Sequence, residues 1–143
     1  MLFWLLILCG ALLGWFIAVF GSYLSAGHDV FRFTLTKWKA DELRKEIIKF
    51  FVDRKIGVSW DGNHIIASEG SRWWIGKRMF EFTITPTKKG TDLDCEFYLR
   101  GFILCSDVPL SKGVFGALPR RMGWKVKMQL FRRLGIEEPR IRI

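Results

Sequence analysis

Residues 78–100 read RMFEFTITPTKKGTDLDCEFYLR, and their alternation decides the kind of fold. In the first half Phe80, Phe82 and Ile84 recur at every second position. In the second half Leu93, Cys95, Phe97 and Leu99 do the same. A period of two puts each set on one face of a strand. The segment TKKG between them supplies a turn, so the halves are expected to pair as an antiparallel hairpin with one apolar face. That face needs a second layer to cover it.

The cover is found upstream. Residues 40–54 (ADELRKEIIKFFVDR) carry Leu43, Ile47, Phe50 and Phe51 at helical spacing. Asp41 and Glu42 stand in the first turn, Arg54 and Lys55 near the end, as the helix dipole prefers, and Gly57 offers a stop. Residues 30–36 (VFRFTLT) alternate as a strand with Phe31, Phe33 and Leu35 on one side. GVSW, the turn pair Asp61-Gly62 and HIIAS suggest a further hairpin. Residues 119–134 carry two patterns. Met122, Trp124, Val126, Met128 and Leu130 alternate like a strand, whereas Pro119 suits a helix start. The run Arg132-Arg133-Leu134-Gly135-Ile136 suits a glycine-capped helix end, and these signals favour helix.

The expected fold is thus a single N-terminal transmembrane helix (1–27) joined to a small α+β domain (28–143). Its antiparallel sheet is covered on one face by helix 40–54 and by a C-terminal helix. Residues 2–20 (LFWLLILCGALLGWFIAVF) contain no charged side chain, and nineteen residues at ~1.5 Å rise span ~28 Å, close to a bilayer's hydrocarbon thickness. A secretory signal fits less well, because no basic region precedes the run and no A-x-A site follows it. Arg32, Lys37, Lys39, Arg44 and Lys45 follow the helix, so the positive-inside rule puts the N-terminus outside and the domain in the cytoplasm or an organellar matrix. Gly10, Gly14 and Ala18 recur every four residues and form a small-residue stripe suited to close helix packing.

Charge sets the remaining expectations. The chain carries 23 Lys and Arg against 14 Asp and Glu, a net charge of +9. Between residues 110 and 136 stand Lys112, Arg120, Arg121, Lys125, Lys127, Arg132 and Arg133 with no acid, interleaved with apolar residues such as Trp124. That mixture suits anionic lipid headgroups or an acidic partner surface. Nucleic acid would use the same cations but is less favoured for a domain already tethered beside lipid. A solvated basic helix is the plain alternative. Arg72, Trp73, Trp74, Lys77 and Arg78 form a second candidate contact. Adjacent tryptophans cannot both face a sheet's core, so one is expected at a membrane surface, at a partner or under the tether.

Chemistry-bearing motifs are scarce. Asp92, Asp94 and Glu96 share one strand face, where Arg78, Lys88 and Lys89 are expected to pair with them. His28 and His64 lack ligand spacing, and Cys9, Cys95 and Cys105 form no C-x-x-C pair. No H-x-x-x-H, G-x-S-x-G, phosphate-loop or dinucleotide fingerprint occurs, so no catalytic residue, cofactor or metal is expected.

The order strand, helix, antiparallel strands, C-terminal helix is similar to helix-grip, START-like lipid carriers at the level of architecture. A module holding a hydrophobic ligand between sheet and helices would show an enclosed apolar cavity lined by Phe50, Phe80, Phe82 and Phe97. The leading expectation is different: a non-catalytic, single-pass accessory subunit of a larger membrane complex, held by other membrane subunits through the Gly10/Gly14/Ala18 face. A tethered binding module for lipid or another hydrophobic ligand is the alternative.

Overall fold

In the computed structural model, which describes residues 1–24, 26–70, 76–100, 107–111 and 117–137, the central hairpin forms as its alternation requires. Strands β4 (Lys77–Thr87) and β5 (Gly90–Arg100) pair antiparallel from Lys77↔Arg100 to Thr87↔Gly90. Gly90 adopts φ +144°, and a Cβ there would lie 2.5 Å from the Leu35 carbonyl oxygen. Only glycine lets the turn pass so close to the neighbouring strand.

That neighbour is β1 (Asp29–Leu35), which pairs with the other edge of β5. On the far side of β4 lie β3 (His64–Glu69) and β2 (Gly57–Asp61). Their turn is centred on Gly62-Asn63, one residue later than the sequence suggests, because Asp61 itself pairs with His64. The sheet has six strands in the order β1-β5-β4-β3-β2, with the short β6 (Val108–Pro109) added beside the end of β5. All pairs are antiparallel.

Two helices cover one face. Helix α2 (Ala40–Asp53) buries Leu43, Ile47, Phe50 and Phe51, the four residues its periodicity selects. The C-terminal segment is helix, α3 (Ala117–Leu134), and it buries Pro119, Gly123, Lys127, Leu130, Phe131 and Leu134 on its inner side. The core between the layers is aromatic. Phe97 of β5 meets Phe31 at 5.9 Å, Phe80 at 5.9 Å, Phe82 at 5.7 Å and Phe131 at 5.8 Å between ring centroids. Phe51 of α2 closes on Phe80 and Phe82 at 5.5 and 5.8 Å.

Both domain helices end in the same way. After α3, Gly135 N–H donates to the Arg132 carbonyl (3.2 Å) and Ile136 N–H to that of Phe131 (2.9 Å), with Gly135 at φ +72°. After α2, Lys55 N–H donates to Val52 (2.9 Å) and Ile56 N–H to Phe51 (3.0 Å), with Lys55 at φ +58°. These are paired Schellman caps, each setting an isoleucine against the helix's last turn. The stop expected at Gly57 therefore falls at Lys55, and Gly57 opens β2 instead.

Helix α1 (Leu2–Leu24) precedes the domain. It is long and apolar enough to cross a membrane, a test that a signal sequence also passes, and none of its apolar span is buried against the rest of the chain.

The aromatic core and the two caps set three stability outcomes. Phe97→Ala should cost about 3–5 kcal/mol, because four neighbouring rings lose their contact at once. Lys55→Gly should stabilise by roughly 0.5–1 kcal/mol by relieving a left-handed non-glycine residue, while Gly135→Ala should destabilise by a similar amount. Urea unfolding of the detergent-solubilised chain, followed by tryptophan fluorescence, measures all three.

Candidate functional site

The sheet end where α1 joins β1 gathers a connected set of polar side chains from several elements. The β1–β5 register runs from Asp29↔Phe97, so the preceding residue, His28, falls opposite Tyr98. Its imidazole stacks on the phenol ring at 3.9 Å with 7° between planes. Each ring nitrogen meets a carboxylate: Nδ1 lies 2.9 Å from Glu96 and Nε2 3.2 Å from Asp107. Arg100 donates through Nε and Nη2 to Asp107, both at 3.0 Å, and through Nη2 to the Tyr98 hydroxyl at 3.3 Å. Tyr98 donates to Glu81, whose other oxygen lies 3.8 Å from His64 Nε2. Backbone ties complete the join: Gly27 N–H donates to the Asp107 carbonyl (3.0 Å), and the Asp29 carboxylate accepts the Ser111 N–H (2.8 Å) and hydroxyl.

Opposing influences set the protonation of this cluster. Burial pushes the His28 imidazole down, but hydrogen bonds to Glu96 and Asp107 outweigh it and hold its pKa above the ordinary 6.5. Burial likewise opposes ionisation of Asp107, yet Arg100 and His28 hold that carboxyl below its ordinary 3.8. Burial and the bond to Glu81 push the Tyr98 phenol up. Each of these groups is engaged by another, so the arrangement acts as a clamp on the α1–β1 join. Sequence spacing could not find it, since its members come from residues 28, 64, 81, 96, 98, 100 and 107.

The acidic row is paired from the other side than expected. Asp92 accepts from Thr34 (2.8 Å), Asp94 from Arg32 (3.1 Å at Nη2), and Glu96 meets His28. All three partners come from β1 or the residue before it. Toward β4 the same acids stand opposite Thr85, Thr83 and Glu81. Arg78 instead points to the core side of β4, is 5% exposed, and pairs with Glu69 at 3.0 Å. It is therefore no surface contact. Its neighbour Lys77 is half-buried, and Arg72, Trp73 and Trp74 lie outside the described residues.

Helix α3 divides its cations in two. Lys127 is fully buried, with Nζ 3.1 Å from the Trp124 ring centre and 4.7 Å from that of Phe31. Phe97 and Phe131 stand at 5.9 and 5.6 Å. Lys127 thus belongs to the core, and Trp124, half-buried against it, is part of that cage. Helical spacing of four from Gly123 and Phe131 puts Lys127 on the inner face, which counting its charge alone could not reveal. Arg120 is half-buried, and burial lowers its pKa against the pull of Asp29. Arg121 and Lys125 are exposed.

The remaining candidates sit apart. A Cβ built at Gly10 or Gly14 meets nothing within 4 Å, and Ala18 is half-buried. Cys9 is exposed, and burial pushes the Cys95 thiol up and makes it inert. Cys105 lies outside the described residues. No cluster of three or more His, Cys, Asp or Glu suited to a metal occurs among the described residues. An open groove of about 440 Å³ lies at the opposite end of the sheet, lined by Trp38, Lys39, Glu42, Pro86 and Thr91 among others. It involves none of Phe50, Phe80, Phe82 and Phe97.

The clamp predicts a pH dependence. A histidine whose pKa is raised on folding contributes fully below its ordinary 6.5, and that contribution is lost as pH rises through the folded value. Asp107, with its pKa lowered, contributes above 3.8 and loses this only on acidification through its folded value. The melting temperature should therefore fall between about pH 6 and about pH 8.5. His28→Phe, which keeps a ring on Tyr98 but removes both hydrogen bonds, should flatten that slope. Thermal scans of both proteins at the two pH values provide the comparison.

Compared with known proteins, the chain matches no family model and no curated protein.

Proposed function

We propose that this chain is a single-pass, non-catalytic accessory subunit of a larger membrane protein complex. In this reading α1 spans the bilayer with its N-terminus outside, and the α+β domain sits on the cytoplasmic or matrix side, following the Arg and Lys residues after the helix. The observation that carries the proposal is the open Gly10/Gly14 face. Among the described residues nothing lies within 4 Å of a Cβ at either glycine, and small residues in register are how helices pack closely where lipid removes the hydrophobic drive.

The domain supports this reading by how its polar groups are used. The carboxylates and histidines of the clamp hold one another and the tether, leaving them engaged structurally. The ring contacts among Phe51, Phe80, Phe82, Phe97 and Phe131 favour a filled interior over a ligand chamber.

Affinity purification from native membranes tests the proposal. The wild-type chain should bring other membrane subunits with it. Gly14→Leu should lower their recovery on the order of tenfold by forcing a bulky side chain into the packing face, while Leu13→Ala should leave recovery near wild type. A chain recovered only as a monomer, or equal recovery with both variants, would sink the idea. A co-purifying lipid in place of subunits would instead favour the hydrophobic-ligand reading.

A further inference from the structure

We infer that the first half of α3 is a membrane-surface seat, in which Leu118 and Met122 enter the headgroup region of an anionic bilayer and Arg121 and Lys125 bind its phosphates. The inference rests on the reading of α1 as a membrane anchor and names a second contact of the same chain with the same membrane.

These four residues stand at i, i+3, i+4 and i+7, on one face of the helix. That face is turned away from the core, which takes Pro119, Gly123 and Lys127. Leu118 is 66% exposed and Met122 45%, two of the few large apolar side chains left exposed among the described residues of the domain. Among the described residues neither Arg121 nor Lys125 forms an ion pair. An apolar pair flanked by unneutralised cations on one helical face is the composition of an interfacial helix.

Position selects the bilayer as occupant. A Cβ at Gly123 would lie 3.0 Å from Leu110 and 3.3 Å from Arg78, which place this turn of α3 at the end of β6 and the start of β4. That is the sheet end where α1 joins. At the opposite end of the helix, the Leu134 carbonyl accepts from Trp38 (3.1 Å), beyond the far end of β1. So α3 runs from the tether toward the far end, and its exposed apolar residues are all on the tether side. Only four residues, 25–28, separate Leu24 from the start of β1 at Asp29, and those five Cα steps limit the sheet to within ~17 Å of the end of α1. The surface nearest this face is therefore the bilayer that α1 enters, and a net charge of +9 complements an anionic one.

The test uses the full chain in phosphatidylcholine vesicles with and without phosphatidylserine. Photoreactive benzoylphenylalanine replaces Leu118 or Met122 and, as a control in the turn at the far end of the sheet, Lys88. Labelled lipid is expected from positions 118 and 122 in the anionic vesicles and not from position 88. Combining either probe with Arg121→Gln and Lys125→Gln, both exposed and so without effect on folding, should lower the docked-to-undocked ratio about thirtyfold. Raised salt should weaken labelling in the same direction. Lipid labelling that ignores phosphatidylserine, or its absence from a chain that resists alkaline extraction, would overturn the seat while leaving the anchor. A chain extracted by alkali overturns anchor and seat together.

Discussion

Phe97 holds the domain together. It sits in the second half of β5, between β1 and β4, and its ring meets Phe31 of the first strand, Phe80 and Phe82 of the fourth, and Phe131 of the last helix. Those residues are drawn from opposite ends of the sequence, so the contact closes the chain on itself. Everything else follows from the strand order that this closure imposes. With β5 in the interior of the sheet, β1 and β2 become the edges, and the outward row of β5 is shared between neighbours on both sides. Glu96 and Glu81 then face each other directly, a repulsive pair. His28 on one and Tyr98 on the other relieve it, which is why the tether is fastened at this place.

What the sequence made legible is local. The periodicity of residues 40–54 selected the buried face of α2, the alternation in 78–100 gave the central hairpin, and the Gly135-Ile136 pair marked the end of α3. Each depends on residues within a turn or a strand of one another. The misplacements are non-local. Asp92 and Asp94 were assigned to the strand adjacent in sequence, whereas their partners Thr34 and Arg32 arrive from β1 through the closure of the sheet. Arg78 and Lys127 carried charge and so read as surface, but each occupies a position whose neighbours in period face inward. Periodicity was the better guide than residue type at both. Lys55 is the exception within local reach: it takes a left-handed cap that favours glycine, because Ile56 must land on Phe51.

The two ends of the sheet differ in kind. The far end holds a groove and the start of α2, with a Lys39 that makes no side-chain cap. The tether end holds the clamp, buried Arg78 paired with half-buried Glu69, and the start of α3. Under the proposal that α1 spans a membrane, a firm start to β1 limits which surfaces of the domain can meet that membrane. Five hydrogen bonds made by Gly27, His28 and Asp29 fasten the entry to β1 onto Glu96, Asp107 and Ser111.

Lys127 completes the argument about orientation. Removing a lysine from water costs several kcal/mol, and a cation over an aromatic face returns ~2 kcal/mol or more when desolvated. One ring would not suffice, but Nζ lies against Trp124 and within 6 Å of Phe31, Phe97 and Phe131. No buried side-chain nitrogen or oxygen among the described residues lacks a hydrogen-bond partner, so the ammonium is compensated in that way too. Trp124 and Phe131 belong to α3 itself and turn with it, but Phe31 of β1 and Phe97 of β5 do not, and a rotation of the helix by one residue would withdraw the cation from those two. Such a cage therefore fixes the rotation of α3 about its axis more sharply than a leucine at the same position could. Once that rotation is set, helical geometry leaves Leu118, Arg121, Met122 and Lys125 nowhere to point but outward, on the side of the domain that the clamp holds toward the tether.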